Sequence, residues 1–151
     1  MVYRLATEAD IPKLSELRWA YESNKAKETE ISKDDFIREC NEFFLNGFEK
    51  EIWVYWIAEK DNEIISNFCI HRIRRVPKPH KMFSEMAYVT NAHTKAEYRN
   101  RGIGTALFKK VTQWARDNKI ELLFLWPRNQ SLSFYERQEF SMDNVIMELK
   151  L

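Results

Sequence analysis

A short glycine-bearing segment is the part of the sequence whose residue types most suit chemistry. The stretch YRNRGIGTAL, residues 98–107, contains Gly102 and Gly104, two of the three glycines in the chain. Apolar residues at helical spacing follow, so we expect a helix from about residue 105 to residue 118. The first backbone N–H groups of a helix lack intrahelical partners and carry partial positive charge. With Arg99 and Arg101 beside them, these amides suit a phosphate or pyrophosphate.

The common glycine-rich phosphate motifs do not match this segment. The P-loop pattern GxxxxGK[ST] is absent, and Leu107 stands where GxGxxG needs its third glycine. On the two glycines alone, a tight strand-to-helix turn without a ligand is an equal alternative, because glycine also relieves turns that need positive φ.

The wider segment resembles a known family. Residues 99–104, RNRGIG, fit the R/Q-x-x-G-x-G/A signature of the GNAT N-acetyltransferases. The opening YRLATEADIPKLSELR and the closing LFLWPRNQSLSFYERQEF are also similar to that family. The resemblance covers almost the whole chain in order and length, and implies one N-acetyltransferase domain over residues 1–151 with the acyl-CoA N-acyltransferase fold.

The resemblance implies acetyl-CoA as acyl donor and no metal. The backbone amides of the glycine segment would hold the pyrophosphate, and the preceding strand would pair with the pantetheine arm in a V-shaped split between two strands. The residues implied for acetyl-CoA are Ala92, Thr94, Arg99, Asn100, Arg101, Gly102, Ile103, Gly104, Thr105, Asn129 and Tyr135.

Transfer to an amine sets further demands. A lysine-like amine has a pKa of about 10.4, so its free-base form costs about 4.6 kcal/mol at pH 7. The site must therefore remove a proton, polarise the thioester and stabilise the leaving thiolate. Tyr135, at the position of the family tyrosine, is implied to donate a hydrogen bond to the sulfur. Full proton donation would need a lowered pKa of that phenol.

The general base is the open question. Some relatives carry a glutamate eleven positions before Arg99, but here that position is Tyr88. Glu85, acting through a water, is the preferred residue, and His93 is a second candidate; direct attack with a water chain and no dedicated base is the remaining alternative. Strand alternation would put Glu85 on the same face as Asn91 and His93, unless a bulge intervenes.

Two other positions depart from the family pattern. Arg128 replaces the asparagine found seven residues before the tyrosine, so that Arg128 or Asn129 would approach CoA. Glu139 replaces a glycine, and is strained by about 1 kcal/mol if its φ is positive, unless the local turn differs.

The acceptor is not named by the sequence. Aromatic candidates for its pocket are Trp19, Tyr21, Phe44, Trp53, Tyr55 and Trp56. Arg18 and Glu22 are candidate polar contacts, although such residues are commonly solvated helix charges. A basic loop holds Arg72, Arg74, Arg75, Lys78 and Lys81.

The elements that must position these residues follow from hydrophobic patterning. We expect strands at residues 2–5, 52–58, 64–73, 82–94, 120–126 and 145–151. A helix capped by Thr7 ends near Tyr21, a second runs from Ser32 to a stop at Gly47, and a short one lies in SLSFYERQ. This order predicts an α/β (α+β) fold with helices on a central mixed, mostly antiparallel sheet.

Composition restricts the function class. The 151 residues carry a net charge of +1, which argues against nucleic acid, and no apolar run suits a membrane span. We expect Cys40 and Cys69 to be free thiols and the protein to be cytoplasmic, because the cytoplasm is a reducing compartment. We therefore expect an acetyl-CoA-dependent N-acetyltransferase that acts on a small-molecule or peptide amine. The family resemblance also implies a homodimer. The alternative function is a non-catalytic CoA-binding module.

Overall fold

The computed structural model describes residues 1–23, 31–142, 147 and 149. The elements, in chain order, are β1 (Val2–Leu5), α1 (Ile11–Ser23), α2 (Lys33–Glu49), β2 (Trp53–Lys60), β3 (Glu63–Arg74), β4 (Glu85–Thr94), α3 (Ile103–Asp117), β5 (Leu122–Phe124) and α4 (Leu132–Glu136). Single 3-10 turns lie at Glu8–Asp10, Ala96–Tyr98 and Asn129–Ser131.

The sheet is mixed and mostly antiparallel, as the sequence predicts. Its strand order is β1-β2-β3-β4-β5, and only β4 and β5 run parallel. The β2–β3 hairpin turns at Asp61 and Asn62, both at positive φ, which matches the right-handed twist of the strands.

Two apolar clusters cover the two faces of the sheet. One joins the sheet to α3 and α4 through residues such as Phe68, Val89 and Phe108. The other joins it to α1 and α2 through Leu14, Phe44 and their neighbours. The sheet is therefore buried on both sides, which explains the continuous apolar run of β2.

Gly47 does not end a helix, contrary to the prediction. It lies inside α2, where a Cβ would stand 2.6 Å from the Trp53 ring and 2.7 Å from the Tyr55 hydroxyl. The glycine is needed for the close approach of α2 to β2, and the helix continues to Glu49.

A β-bulge interrupts β4 close to its end. Thr90 lies opposite Cys69 and His93 lies opposite Asn67, so two residues of β4 face one residue of β3. Asn91, one of the two, has a φ of 47°. The extra residue changes which face each later side chain occupies.

The last two strands separate after a short contact. Pairing between β4 and β5 involves only Met86 to Tyr88 and Leu122 to Phe124, although β4 continues to Thr94. The result is the V-shaped split that the family resemblance implies. β5 is shorter than predicted because the chain turns away after Phe124.

The strand predicted at the C-terminal end of the sequence lies mostly outside the described residues. The closing strand predicted for residues 145–151 falls on a segment of which the structure describes residues 147 and 149 alone. Among the helices of the described residues, none is both long and apolar enough to cross a bilayer.

Candidate active site

A cleft of about 1260 Å³ opens at the split between β4 and β5. Its walls come from α1, the second half of β4, the turn into α3, and residues 125–137. One part of the lining, which we call the glycine-loop end, is formed by Arg99, Asn100 and residues 102–105. Another part, which we call the aromatic end, is formed by Tyr21, Tyr88 and Trp126.

Gly102 forms the N-cap of α3 in a left-handed conformation. Its φ is 75° and ψ is 0°, and Asn100 two residues earlier also has a positive φ of 59°. A Cβ built on Gly102 would meet no atom within 4 Å. The turn therefore needs glycine for its backbone, and the space beside its Cα, at the start of α3, is open.

Gly104 plays a different part from Gly102. A Cβ at this position would lie 3.6 Å from the Phe134 ring and 3.7 Å from the Thr94 hydroxyl, which are ordinary contacts. An alanine therefore fits here.

The two arginines of the segment differ in position. Arg99 lines the cleft and donates from Nε to the Thr94 carbonyl at 2.9 Å. Arg101 lies over the Tyr98 ring, 5.8 Å from its centroid, and is not among the lining residues. Of these two arginines, only Arg99 adds positive charge to the lining of the cleft.

Most other residues implied for acetyl-CoA also line the cleft. They are Ala92, Thr94, Asn100, Ile103, Thr105 and Tyr135. Asn129 does not line it; its neighbours Arg128, Gln130 and Ser131 do. The sequence analysis did not predict Phe134, whose ring packs against Gly104. Its position next to Tyr135 in the sequence could have indicated that it lies near the site.

Tyr135 lies in an aromatic environment beside the split. It is 7% exposed and packs against Phe108, Phe134 and Phe140. Burial, with smaller effects from the phenols of Tyr88 and Tyr21, raises the pKa of Tyr135 to about 12. Its hydroxyl stays protonated at neutral pH and is suited to donating a hydrogen bond rather than a proton.

A polar network holds the bulge of β4. The Asn91 side-chain oxygen accepts from Arg18 at 2.8 Å, and its backbone oxygen accepts from Asn67 at 2.7 Å. The Asn91 side-chain nitrogen donates to the Cys69 sulfur at 3.3 Å. The network fixes the left-handed backbone at the point where the strands part.

Glu85 is not placed where the sequence analysis expected it. The bulge puts Asn91 beside Arg18 of α1, whereas Ala87 and Val89, on the Glu85 side of β4, pack with α3. Glu85 is 4% exposed, accepts from Arg72 and does not line the cleft. The assumed alternation fails because of the extra residue, and the geometry gives Glu85 a structural ion pair.

Contacts across the aromatic end join three separate elements. The Tyr21 ring of α1 lies 4.3 Å from the His93 ring of β4, centroid to centroid. Arg128, from the segment after β5, donates from a terminal nitrogen to the Tyr21 hydroxyl at 3.1 Å. Tyr88 packs against Trp126, with centroids 4.8 Å apart. Nothing in the sequence signalled the Arg128–Tyr21 contact, which joins residues 107 positions apart.

The remaining acceptor candidates divide clearly. Of the six aromatic residues, only Tyr21 lines the cleft. Phe44, Tyr55 and Trp56 are buried, Trp19 contacts Phe36, and Trp53 contacts His71.

The basic loop does not reach the cleft. Arg72 is paired with Glu85 and Lys81 with Glu121, and none of the five cations of the loop lines the cleft. Both cysteines are free, and burial raises the pKa of Cys69 to about 11.

A family model describes most of the chain. The match is to the acetyltransferase (GNAT) family and spans residues 11–140. The chain belongs to the GNAT family. The GNAT resemblance and its fold are thereby confirmed.

Solved structures share the fold. A predicted acetyltransferase of Clostridium acetobutylicum, crystallised with acetyl-CoA, is 26% identical, with a TM-score of 0.81 over 99% of this chain and 95% of its own. A GCN5-related N-acetyltransferase of Ralstonia eutropha is 17% identical, with a TM-score of 0.75 over 99% and 97%. A Trypanosoma brucei acetyltransferase is 16% identical, with a TM-score of 0.72 over 99% of both. No curated protein matches the chain.

The family and the similarity to a structure holding acetyl-CoA support acetyl-CoA binding by this GNAT protein. Within the described residues, no three His, Cys, Asp or Glu side chains are grouped so that they could hold a metal ion.

Proposed function

We propose that this GNAT protein transfers an acetyl group from acetyl-CoA to the primary amine of a small molecule or peptide. The observation that carries the proposal is the left-handed turn at Gly102, which lines the same cleft, at the split between β4 and β5, as Tyr135. Acetyl-CoA supplies an activated thioester when bound.

The donor would be held mainly by backbone. Residues 102–105 line the cleft at the start of α3, so that their amides suit the pyrophosphate, and Arg99 adds positive charge. The unpaired edge of β4 beyond Tyr88, including Ala92 and Thr94, offers hydrogen-bonding groups to an extended pantetheine arm.

The reacting groups would meet at the bulge. The amine nitrogen forms a bond to the carbonyl carbon, the carbon–sulfur bond breaks, and the amine proton leaves to solvent or to a base. Backbone N–H groups freed by the bulge would polarise the carbonyl, and Tyr135 would donate a hydrogen bond to the departing sulfur. With Glu85 on the other face, His93 is the titratable candidate for the base, with a water chain as the alternative.

A non-catalytic CoA-binding module is the second candidate. One observation favours it: Tyr88 occupies the position of the catalytic glutamate of some relatives, and Glu85 does not line the cleft. Binding of CoA without turnover is its expected behaviour.

Thiol release from acetyl-CoA distinguishes the two. The purified protein would be assayed against polyamines, amino acids, aminoglycosides, and peptides with free lysine or N-terminal amines. Release above hydrolysis with one class supports the transferase. A rise in melting temperature with CoA, but no release with any amine, supports the binding module. The absence of both would contradict each proposal.

A further inference from the structure

The side chains around the cleft are strongly biased in charge. Five lining residues are cationic: Arg18, Lys95, Arg99, Arg128 and Arg137. One lining residue, Glu97, is a carboxylate, and it lies beside Tyr98 in the turn that leads to the glycine loop. A ligand entering this cleft therefore meets a positive potential.

Most of these cations have an evident role or partner. Lys95 is paired with Glu63, and Arg99 belongs to the glycine loop. Arg18 is paired with Glu22 at 2.8 Å and holds Asn91 of the bulge.

Arg128 and Arg137 differ from these three. In the part of the chain that the structure describes, no ion pair joins either of them to a carboxylate. Of the two, Arg128 is the one whose guanidinium contacts the hydroxyl and ring of Tyr21. It is exposed and lines the cleft at the aromatic end. A guanidinium with a neutral partner retains donors for a planar oxyanion.

Aromatic side chains line the same cleft as this guanidinium. Tyr21, Tyr88 and Trp126 line the same end of the cleft, and Trp126 is 55% exposed. Tyr135 lines the same cleft as Tyr21 and Tyr88, so this end and the proposed reaction point share one cavity. An apolar group of the acceptor has surface to cover here, next to a cation.

We propose that the acceptor is a primary amine that carries an oxyanion beside an apolar or aromatic group, and that Arg128 binds the oxyanion. This deepens the proposed function and rests on it. The oxyanion is a carboxylate or a phosphate, since both match the guanidinium fork. Acceptors with additional positive charges, such as polyamines and lysine-rich peptides, are disfavoured by the cationic lining.

Matched acceptors test the proposal. Thiol release would be measured with phenylalanine against phenethylamine and with phosphoethanolamine against ethanolamine; spermidine would serve as the polycation. We expect kcat/KM to be at least about 10-fold higher for the anionic member of one pair, because a charge-assisted hydrogen bond is lost in the other. Which pair shows the preference distinguishes carboxylate from phosphate.

A substitution tests the residue. Arg128→Gln should reduce the preference for the anionic member by about 10- to 100-fold, with the KM for acetyl-CoA unchanged. Arg116→Gln, which removes an exposed charge on α3 away from the cleft, is the matched control and should leave the preference as in the wild type.

Several results would overturn the inference while the transferase function stands. One is faster turnover of spermidine or phenethylamine than of both anionic acceptors. Another is an unchanged preference in Arg128→Gln. A third is a raised KM for acetyl-CoA with unchanged acceptor preference, which would assign Arg128 to the donor. Absence of release with every amine would instead overturn the proposed function, and the inference with it.

Discussion

The Glu85 carboxylate accepts two hydrogen bonds from the Arg72 guanidinium, at 2.7 and 2.9 Å. Glu85 is buried on the side of β4 that packs with α3, and it does not line the cleft. Its role in this geometry is to join β3 to β4.

Replacing this carboxylate should affect stability rather than catalysis. We expect Glu85→Gln to keep kcat within about twofold, but to lower the free energy of unfolding by about 3 kcal/mol, since Arg72 loses its charged partner. Denaturant unfolding and steady-state kinetics check this, with Arg72→Gln as the matched variant. A large loss of kcat in a folded Glu85→Gln protein would restore Glu85 as a catalytic residue.

The two glycines of the loop should respond differently to substitution. Gly102→Val places a branched side chain at a φ of 75° and in the space proposed for the pyrophosphate, so CoA binding should be lost. Gly104→Ala, the control, makes ordinary contacts and should retain it. Calorimetric titration with CoA measures both. Micromolar affinity in Gly102→Val would mean that the loop is structural only.

Tyr135→Phe should lower turnover more than CoA affinity. The phenol is proposed to act when negative charge develops on sulfur, so we expect kcat to fall by about 100-fold with little change in the Kd of CoA. Because the pKa of Tyr135 is raised to about 12, its ionisation should not shape the pH profile between pH 6 and pH 9. Equal turnover in the two proteins would remove Tyr135 from the mechanism.

Asp10 should make the fold sensitive to acid. It receives two hydrogen bonds from Arg4 and one from the Thr7 amide, and the Arg4 contact holds the pKa of its carboxyl far below the usual range. The unfolded chain binds this proton more readily, so the contribution is complete above about pH 4 and is lost progressively as the pH falls below that value.

Asp10→Asn should therefore be less stable at pH 7, by about 3 kcal/mol, and lose less further stability between pH 4 and pH 2 than the wild type. Asp34→Asn, an exposed carboxylate of α2, should keep the wild-type slope. Urea unfolding at several pH values measures the slopes. Parallel slopes for wild type and Asp10→Asn would contradict the assignment.

Glu139 adopts a φ of 67°, so the turn keeps the left-handed conformation although the family glycine is replaced. Glu139→Gly should relieve this strain and raise the free energy of unfolding by about 1 kcal/mol, or the melting temperature by about 2–4 °C. Glu136→Gly, at the last residue of α4, should bring no such gain, because the backbone there has no positive φ to relieve and glycine is a weaker helix former than glutamate. A lower melting temperature in Glu139→Gly would show that the glutamate makes compensating contacts.

Local patterns in the sequence determined most of the elements and the position of the turn before α3. The periodicities of β2, α3 and the hairpin report burial directly, and their predictions are confirmed. The turn at the glycine segment could be predicted from the sequence, because a left-handed turn before a helix favours glycine whatever side chains surround it, and here that position is Gly102.

Tertiary structure decided what depends on register and on residues distant in the chain. A single extra residue at the bulge puts Asn91 on the opposite face of β4 from Glu85, and no propensity signals that insertion. Gly47 looks like a helix stop until Trp53 and Tyr55 are packed against it. Arg128 meets Tyr21 only because the split sheet brings α1 beside the segment after β5. Local chemistry sets the conformation of a turn, whereas the packing of separate elements sets which side chains share a site.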